Sequence, residues 1–170
     1  MRFRHSLLLA AVALVGAACV TAPPADAPTP PIVQVDGADG RARQFGATAA
    51  EVLTNSALAT KIRALFGPDW ALEPGHRLRA PASSFFASGD PVRMVRTNDA
   101  EYVAVSGCGP AGCRAQHGLL LVRSPDGESL LARLDEGGLG HYYAYGAGLS
   151  MSPAVRALLD RARSAVGPPV

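Results

Sequence analysis

One stretch of the sequence decides the fold, Cys108-Gly109-Pro110-Ala111-Gly112-Cys113, in which two cysteines bracket four residues. Apolar and β-branched residues precede it at 101–106, and an apolar run follows it at 118–122. Both flanks are typical of β-strands, so the cysteines lie where one strand ends and the next begins. A disulfide between Cys108 and Cys113 would close this connection into a small, stiff loop. Such a loop loses little freedom when it meets a partner.

Outward from this loop, short apolar segments alternate with turn residues. Turn signals such as Ser124-Pro125-Asp126-Gly127 separate neighbouring segments, which favours antiparallel hairpins. Phe85-Phe86 fits either a short strand or a packed loop. The pattern predicts strands at residues 32–35, 92–95, 102–105, 119–123, 129–134 and 141–145.

Helix signals stand at both ends of this series of strands. Thr48-Ala49-Ala50-Glu51 is a capping box that begins a first helix, Asn55-Ser56 favours a break within it, and Gly67-Pro68 ends it. Ser152 and Pro153 begin a last helix. The order predicts an α+β fold, an antiparallel β-sheet with an N-terminal and a C-terminal helix packed on one face, in a single domain over residues 32–170.

The N-terminus has the pattern of export. Residues 1–18 resemble a secretory signal peptide with a charged head and a short apolar core. Small residues stand directly before Cys19, as at a bacterial lipoprotein cleavage site, so we expect lipidation of Cys19; ordinary cleavage after Ala18 or Ala27 is the alternative. The proline-rich residues 19–31 predict an extended tether. We therefore expect a periplasmic protein, or one anchored in the outer membrane and facing the periplasm, where disulfides are permitted.

Charge argues against a nucleic-acid-binding protein. The chain of 170 residues has 16 basic and 14 acidic residues. Two of the basic residues, Arg2 and Arg4, fall in the predicted signal, which leaves the mature domain near neutral. A nucleic-acid-binding domain needs a basic face, and the sequence predicts no nucleic-acid partner.

Residues with catalytic or ligand chemistry are few and scattered. The G-x-G-x-x-G spacing at 107–112 is followed by a strand rather than the helix that a dinucleotide loop requires. Redox cysteine pairs favour two intervening residues, and this pair has four. The histidines lack metal-ligand spacing, and no serine lies in a nucleophile elbow. The sequence therefore predicts no enzyme, no cofactor and no metal.

Several aromatic and histidine positions allow two interpretations. Trp70 fits a core anchor or, alternatively, a binding residue. His117, just after the loop, fits a solvated strand start or the lining of a binding surface. Tyr143 and Tyr145 share one face of their strand and Tyr142 the other, with core packing as the favoured role.

Three features together resemble a known family, the periplasmic inhibitors of vertebrate (C-type) lysozyme. They are the Pro68-Asp69-Trp70 step, the tyrosine-bearing strand at 102–107, and the loop positions of Cys108, Pro110 and Cys113. That family has a signal, a short helical N-terminal part, a tryptophan after a proline, and a strand that leads into a disulfide-closed loop of pattern Cys-x-Pro-His-Asp-Cys.

The resemblance implies a secreted or lipid-anchored inhibitor that inserts its loop into the active-site cleft of a lysozyme or related muramidase. The implied target-binding residues are Gly109, Pro110, Ala111 and Gly112. Where the family has a histidine and an aspartate that bond to the enzyme's carboxylates, this chain has Ala111 and Gly112, so we expect occlusion through loop shape and backbone amides. The alternative is an envelope lipoprotein of the same fold that binds another protein or a cell-wall fragment.

Overall fold

The computed structural model describes residues 31–167. The predicted signal peptide, Cys19 and residues 19–30 of the predicted tether lie outside the described residues. Within residues 31–167, no helix has both the length and the apolar character that a membrane span requires.

A seven-stranded antiparallel sheet forms the centre of the protein, which confirms the predicted α+β class. Six strands run in the order β1-β3-β4-β5-β6-β7, and the short β2 pairs with the end of β4 beside β3. Long hairpins join β4 to β5, β5 to β6 and β6 to β7. The strands are β1 (Gln34–Asp36), β2 (Ser88–Gly89), β3 (Arg93–Arg96), β4 (Glu101–Cys108), β5 (Gln116–Arg123), β6 (Leu130–Glu136) and β7 (Leu139–Tyr145).

Three α-helices complete the fold: α1 (Ala49–Thr54), α2 (Ala59–Phe66) and α3 (Pro153–Val166). The predicted capping box is present, because Thr48 Oγ1 accepts a hydrogen bond from Glu51 N at 3.3 Å. The Glu51 carboxylate reaches back one residue further than the cap and accepts from Ala47 N at 2.6 Å. The break predicted at Asn55 separates α1 from α2.

The helices pack on opposite faces of the sheet, so the prediction that they share one face is wrong. Val103 and Val105 of β4 belong to the core beneath α1 and α2, whereas Tyr102 and Ala104 belong to the core beneath α3. The physical reason lies in β4 and β5, which are apolar at consecutive positions. A strand that is apolar on both sides must be covered on both sides.

Phe85 and Phe86, for which the sequence allowed either a short strand or a packed loop, lie in a short 3-10 helix, Ala82–Phe86. It packs where Gly107 and Gly118 oppose each other across β4 and β5. A Cβ at Gly107 would lie 2.6 Å from Phe86 Cα, and one at Gly118 would lie 2.8 Å from Phe86 Cζ. The paired glycines therefore let this helix approach the hairpin that carries the disulfide.

Aromatic side chains fill the core on the α1 and α2 face. Trp70 is partly buried against this core and stacks on Phe66 with ring centroids 5.9 Å apart, in agreement with the core-anchor interpretation. Tyr143 and Tyr145 pack against the same core and Tyr142 against the other, as their alternation predicts.

Candidate functional site

The connection between β4 and β5 is a disulfide-closed loop. Cys108 and Cys113 are bonded, with their Cα atoms 4.7 Å apart. Gly109 N donates to Gln116 O at 3.1 Å, and Gly112 N donates to Gly109 O at 2.9 Å. The disulfide and these two hydrogen bonds therefore fix the shape of the loop, which connects the two longest strands of the sheet.

The structure divides the four predicted target-binding residues into a tip and a base. Pro110, Ala111 and Gly112 are exposed, whereas Gly109 is buried. A Cβ on Gly109 would lie 2.3 Å from Gln116 Oε1, so a glycine is needed for the loop to close over that side chain. We call residues 110–112 the loop tip.

Beside the loop lies the turn between β6 and β7. Gly137 N donates to Ala115 O at 3.0 Å, which ties this turn to the loop. Leu139, the first residue of β7, is 65% exposed, a high value for a large apolar side chain. Leu139 could not be recognised from the sequence, because its closeness to the loop depends on how β5 and β6 pair. The Gly137-Gly138 turn was the only sequence signal available.

One charged side chain belongs to the loop itself. Arg114 follows Cys113 and is exposed, and within residues 31–167 its guanidinium forms no ion pair. A guanidinium offers a planar fork of donors that matches a carboxylate. The loop therefore presents hydrogen-bond donors next to its tip, although the tip residues have none in their side chains.

Beneath the loop, His117 is buried, with 1% of its surface exposed. Both sequence interpretations, a solvated strand start and a surface-lining residue, are wrong. The reason is that α3 covers this face, and the cap residue that ends α3, Gly167, reaches β4. Ser106 Oγ donates to Gly167 O at 3.2 Å and lies 3.1 Å from His117 Nε2.

Charged residues surround this buried histidine. His117 Nδ1 lies 3.9 Å from Asp135 Oδ2, and Asp135 is paired with Arg133 and Arg163. Burial, and after it the nearby Arg163 guanidinium, lower the pKa of His117, while Asp135 acts in the opposite direction. In the part of the chain that the structure covers, no three His, Cys, Asp or Glu side chains are placed to hold a metal ion.

A second buried polar group lies in the Pro68-Asp69-Trp70 step. Asp69 is 2% exposed. Its carboxylate accepts from Tyr143 Oη at 2.9 Å, from Arg77 Nε at 3.1 Å and from Leu78 N at 3.3 Å. Burial favours the neutral acid, but these donors and the Arg77 backbone amide outweigh it and lower the pKa of Asp69. Asp69 therefore joins the segment after α2 to β7 and is a structural anchor.

No family model, no curated protein and no solved structure matches the chain. Its function must therefore be inferred from the site itself.

Proposed function

We propose that this protein is an exported inhibitor that inserts the loop tip into the active-site cleft of a lysozyme or related muramidase and blocks the cleft sterically. One observation carries the proposal: residues 110–112 are exposed at the end of the sheet, on a loop that is closed by the Cys108–Cys113 disulfide. The protein needs no turnover of its own for this role.

Preorganisation supports insertion of this loop. Ordering a flexible loop at an interface costs about 0.5–1.5 kcal/mol for each side chain that is immobilised. Here the ring is closed before binding, and the tip side chains are a proline, an alanine and a glycine, which have little rotamer freedom to lose. Little of the contact energy is therefore spent on ordering the loop.

The chemistry next to the tip suits an acidic cleft. Glycoside hydrolases flank the bond that they cleave with two carboxyl groups. Arg114 provides a guanidinium that is free to bind such a carboxylate, and Leu139 provides an apolar flank of the kind found at the centre of interfaces. In this protein Arg114, which follows the second cysteine, would therefore make the contact that a histidine and an aspartate make in the family.

Export remains part of the proposal. Residues 1–18 would be removed, and Cys19 would receive the lipid that anchors the domain through the proline-rich tether. Mass spectrometry of the mature N-terminus tests this, because a diacylglyceryl mass shift on Cys19 indicates an anchor and an unmodified cleaved chain contradicts one.

A lysis assay tests the inhibitor. Purified, oxidised protein at micromolar concentration should protect bacterial cell walls from a C-type lysozyme. Arg114→Glu should weaken protection at least tenfold, because a carboxylate would then face the carboxylates of the cleft. Arg43→Glu is the matched control, since Arg43 is also exposed and lies next to Gln44, which bonds Ser124 at the far end of β5.

Two outcomes of these binding experiments would contradict an inhibitor of lysozyme. Absence of protection, together with no capture of any of several muramidases in a pull-down, would refute the proposed function. Capture of a cell-wall fragment or a different envelope protein in the same experiment would favour the alternative, an envelope lipoprotein of this fold with another target.

A further inference from the structure

The buried imidazole of His117 has one nitrogen without a partner. Among residues 31–167, its Nδ1 is the only buried side-chain nitrogen or oxygen that makes no hydrogen bond. The other nitrogen, Nε2, lies 3.1 Å from Ser106 Oγ. That hydroxyl has a single proton, which it donates to Gly167 O. Both bonds form together only if Nε2 carries a proton, so Nδ1 is bare in the neutral ring. Protonation would keep the bond from Nε2 and add a buried N–H at Nδ1.

A proton on Nδ1 would find no acceptor within reach. The carboxylate oxygen that faces it, Asp135 Oδ2, is 3.9 Å away, beyond hydrogen-bond distance. Its two carboxylate oxygens are already held, Oδ1 by Arg133 at 2.8 Å and Oδ2 by Arg163 at 2.6 Å. Arg133 in turn bonds Asp160 of α3 at 2.5 Å. An imidazolium here would be buried near two guanidinium groups and would have to compete with them for Asp135.

The same contacts hold the end of α3 on the sheet. Arg163 Nε is bonded to Asp135 of β6, and Gly167 O is bonded to Ser106 of β4. Gly167 N donates to Arg163 O at 3.0 Å, so both residues belong to one closing turn. Arg93 adds a bond to Val166 O at 3.1 Å. Two of these three polar contacts, those of Arg163 and Gly167, are therefore made to residues that lie next to His117.

We propose that His117 is an acid-sensitive contact residue. While neutral it helps to hold the closing turn of α3 against β4 and β6, and its protonation releases that turn. The added proton at Nδ1 draws Asp135 away from Arg163, which breaks a bond between α3 and the sheet. The turn that is released covers the strand end from which the disulfide loop starts. This inference does not depend on the identity of the loop's target.

The direction of the pH effect follows from burial and charge. An exposed histidine takes up a proton near pH 6.5, and burial, then Arg163, keep the pKa of His117 below that value in the closed form. The open form therefore binds more protons below pH 6.5, which favours opening as the pH falls. Above pH 6.5 the His117 ring is neutral in both forms, and the contacts that hold the turn are fully present.

Amide hydrogen exchange tests this in the purified, oxidised protein. After correction for intrinsic exchange, protection at residues 163–167 should fall about tenfold more than protection at residues 155–160 between pH 7.5 and pH 5.0. His117→Gln keeps a donor for Ser106 and cannot take up a proton, so its protection should not depend on pH in this range. His141→Gln, which replaces a half-buried histidine on β7, should behave like the wild type.

Equal changes in both halves of α3, or a wild-type pH dependence in His117→Gln, would overturn the proposal. If that variant does not fold, nitrogen NMR of the wild-type ring decides. The proposal requires the Nε2–H tautomer at pH 7.5 and titration of the ring together with the amides of residues 163–167. An Nδ1–H tautomer, or titration without any change in α3, refutes it.

Discussion

Cys108 and His117 face each other directly across β4 and β5. One hairpin therefore carries both the disulfide that closes the exposed loop and the buried imidazole beneath α3. Both residues are 1% exposed, so the loop tip projects from a base that belongs to the core. The position of the tip is for this reason set by packing at the end of this hairpin.

Adding a donor at the loop tip should strengthen the proposed inhibition. Ala111 is exposed, and its methyl group cannot bond to a carboxylate of the proposed target cleft. Ala111→His supplies a donor at the position where the resembling family has histidine. A hydrogen bond to a charged group contributes about 1.5–3 kcal/mol, so we expect at least a tenfold lower Kd for lysozyme, measured by calorimetry.

The control for this change is Ala64→His, on the exposed side of α2, which should leave affinity unchanged. An unaltered or weaker affinity of Ala111→His would mean that the tip does not face the catalytic carboxylates.

The sequence predicted six of the seven strands, the capping box and the disulfide because each depends on neighbouring residues, whereas the two-residue β2 (Ser88–Gly89) was not predicted. Thr48 and Glu51 are three positions apart, and Cys108 and Cys113 close a single hairpin. The environment of His117 could not be predicted in this way. It depends on Gly167, which the last helix brings onto β4, and on Asp135, which the pairing of β5 with β6 places opposite. Local patterns do not determine which face of a sheet a distant helix covers.

The exposed leucine beside the loop should contribute to binding and not to folding. Leu139 is 65% exposed, so Leu139→Ser removes little buried area from the free protein. An apolar side chain that becomes buried on binding contributes about 25 cal/mol per Å², and we expect Leu139→Ser to weaken lysozyme binding about fivefold.

The matched control is Ile32→Ser, because Ile32 is 56% exposed and lies just before β1, at the opposite edge of the sheet. Both variants should keep the thermal midpoint of the wild type. A loss of binding in Ile32→Ser as large as that in Leu139→Ser would argue against a surface centred on the loop.

Gly107 should tolerate no side chain. A Cβ there would lie 2.6 Å from Phe86 Cα and 3.0 Å from the carbonyl oxygens of Phe85 and Ser88, all of which are backbone atoms that cannot rotate away. Gly107→Ala should therefore cost about 2–3 kcal/mol of unfolding free energy, measured by urea denaturation. Gly37→Ala, where a Cβ meets nothing within 4 Å, should change it by no more than about 0.5 kcal/mol. Similar values for the two variants would show that the Ala82–Phe86 helix can move away from β4.

Asp69 should stabilise the fold in a manner that depends on pH. Asp69→Ala leaves Tyr143 Oη and two backbone amides without their acceptor, and we expect a loss of roughly 3 kcal/mol at pH 7. Asp99→Ala, at an exposed turn, is the control and should change little.

The pH dependence gives the same prediction an independent check. Donors from Arg77 and Tyr143 hold the pKa of Asp69 below its usual value of 3.8. The contribution of the ionised carboxylate is therefore complete above pH 3.8 and is lost as the pH falls through the lowered pKa, because the unfolded chain takes up its proton first. In urea titrations, the difference in unfolding free energy between wild type and Asp69→Ala should be constant from pH 7 to pH 5 and shrink towards pH 2. A difference that stays constant over the whole range would show that the neutral acid stabilises the fold equally well.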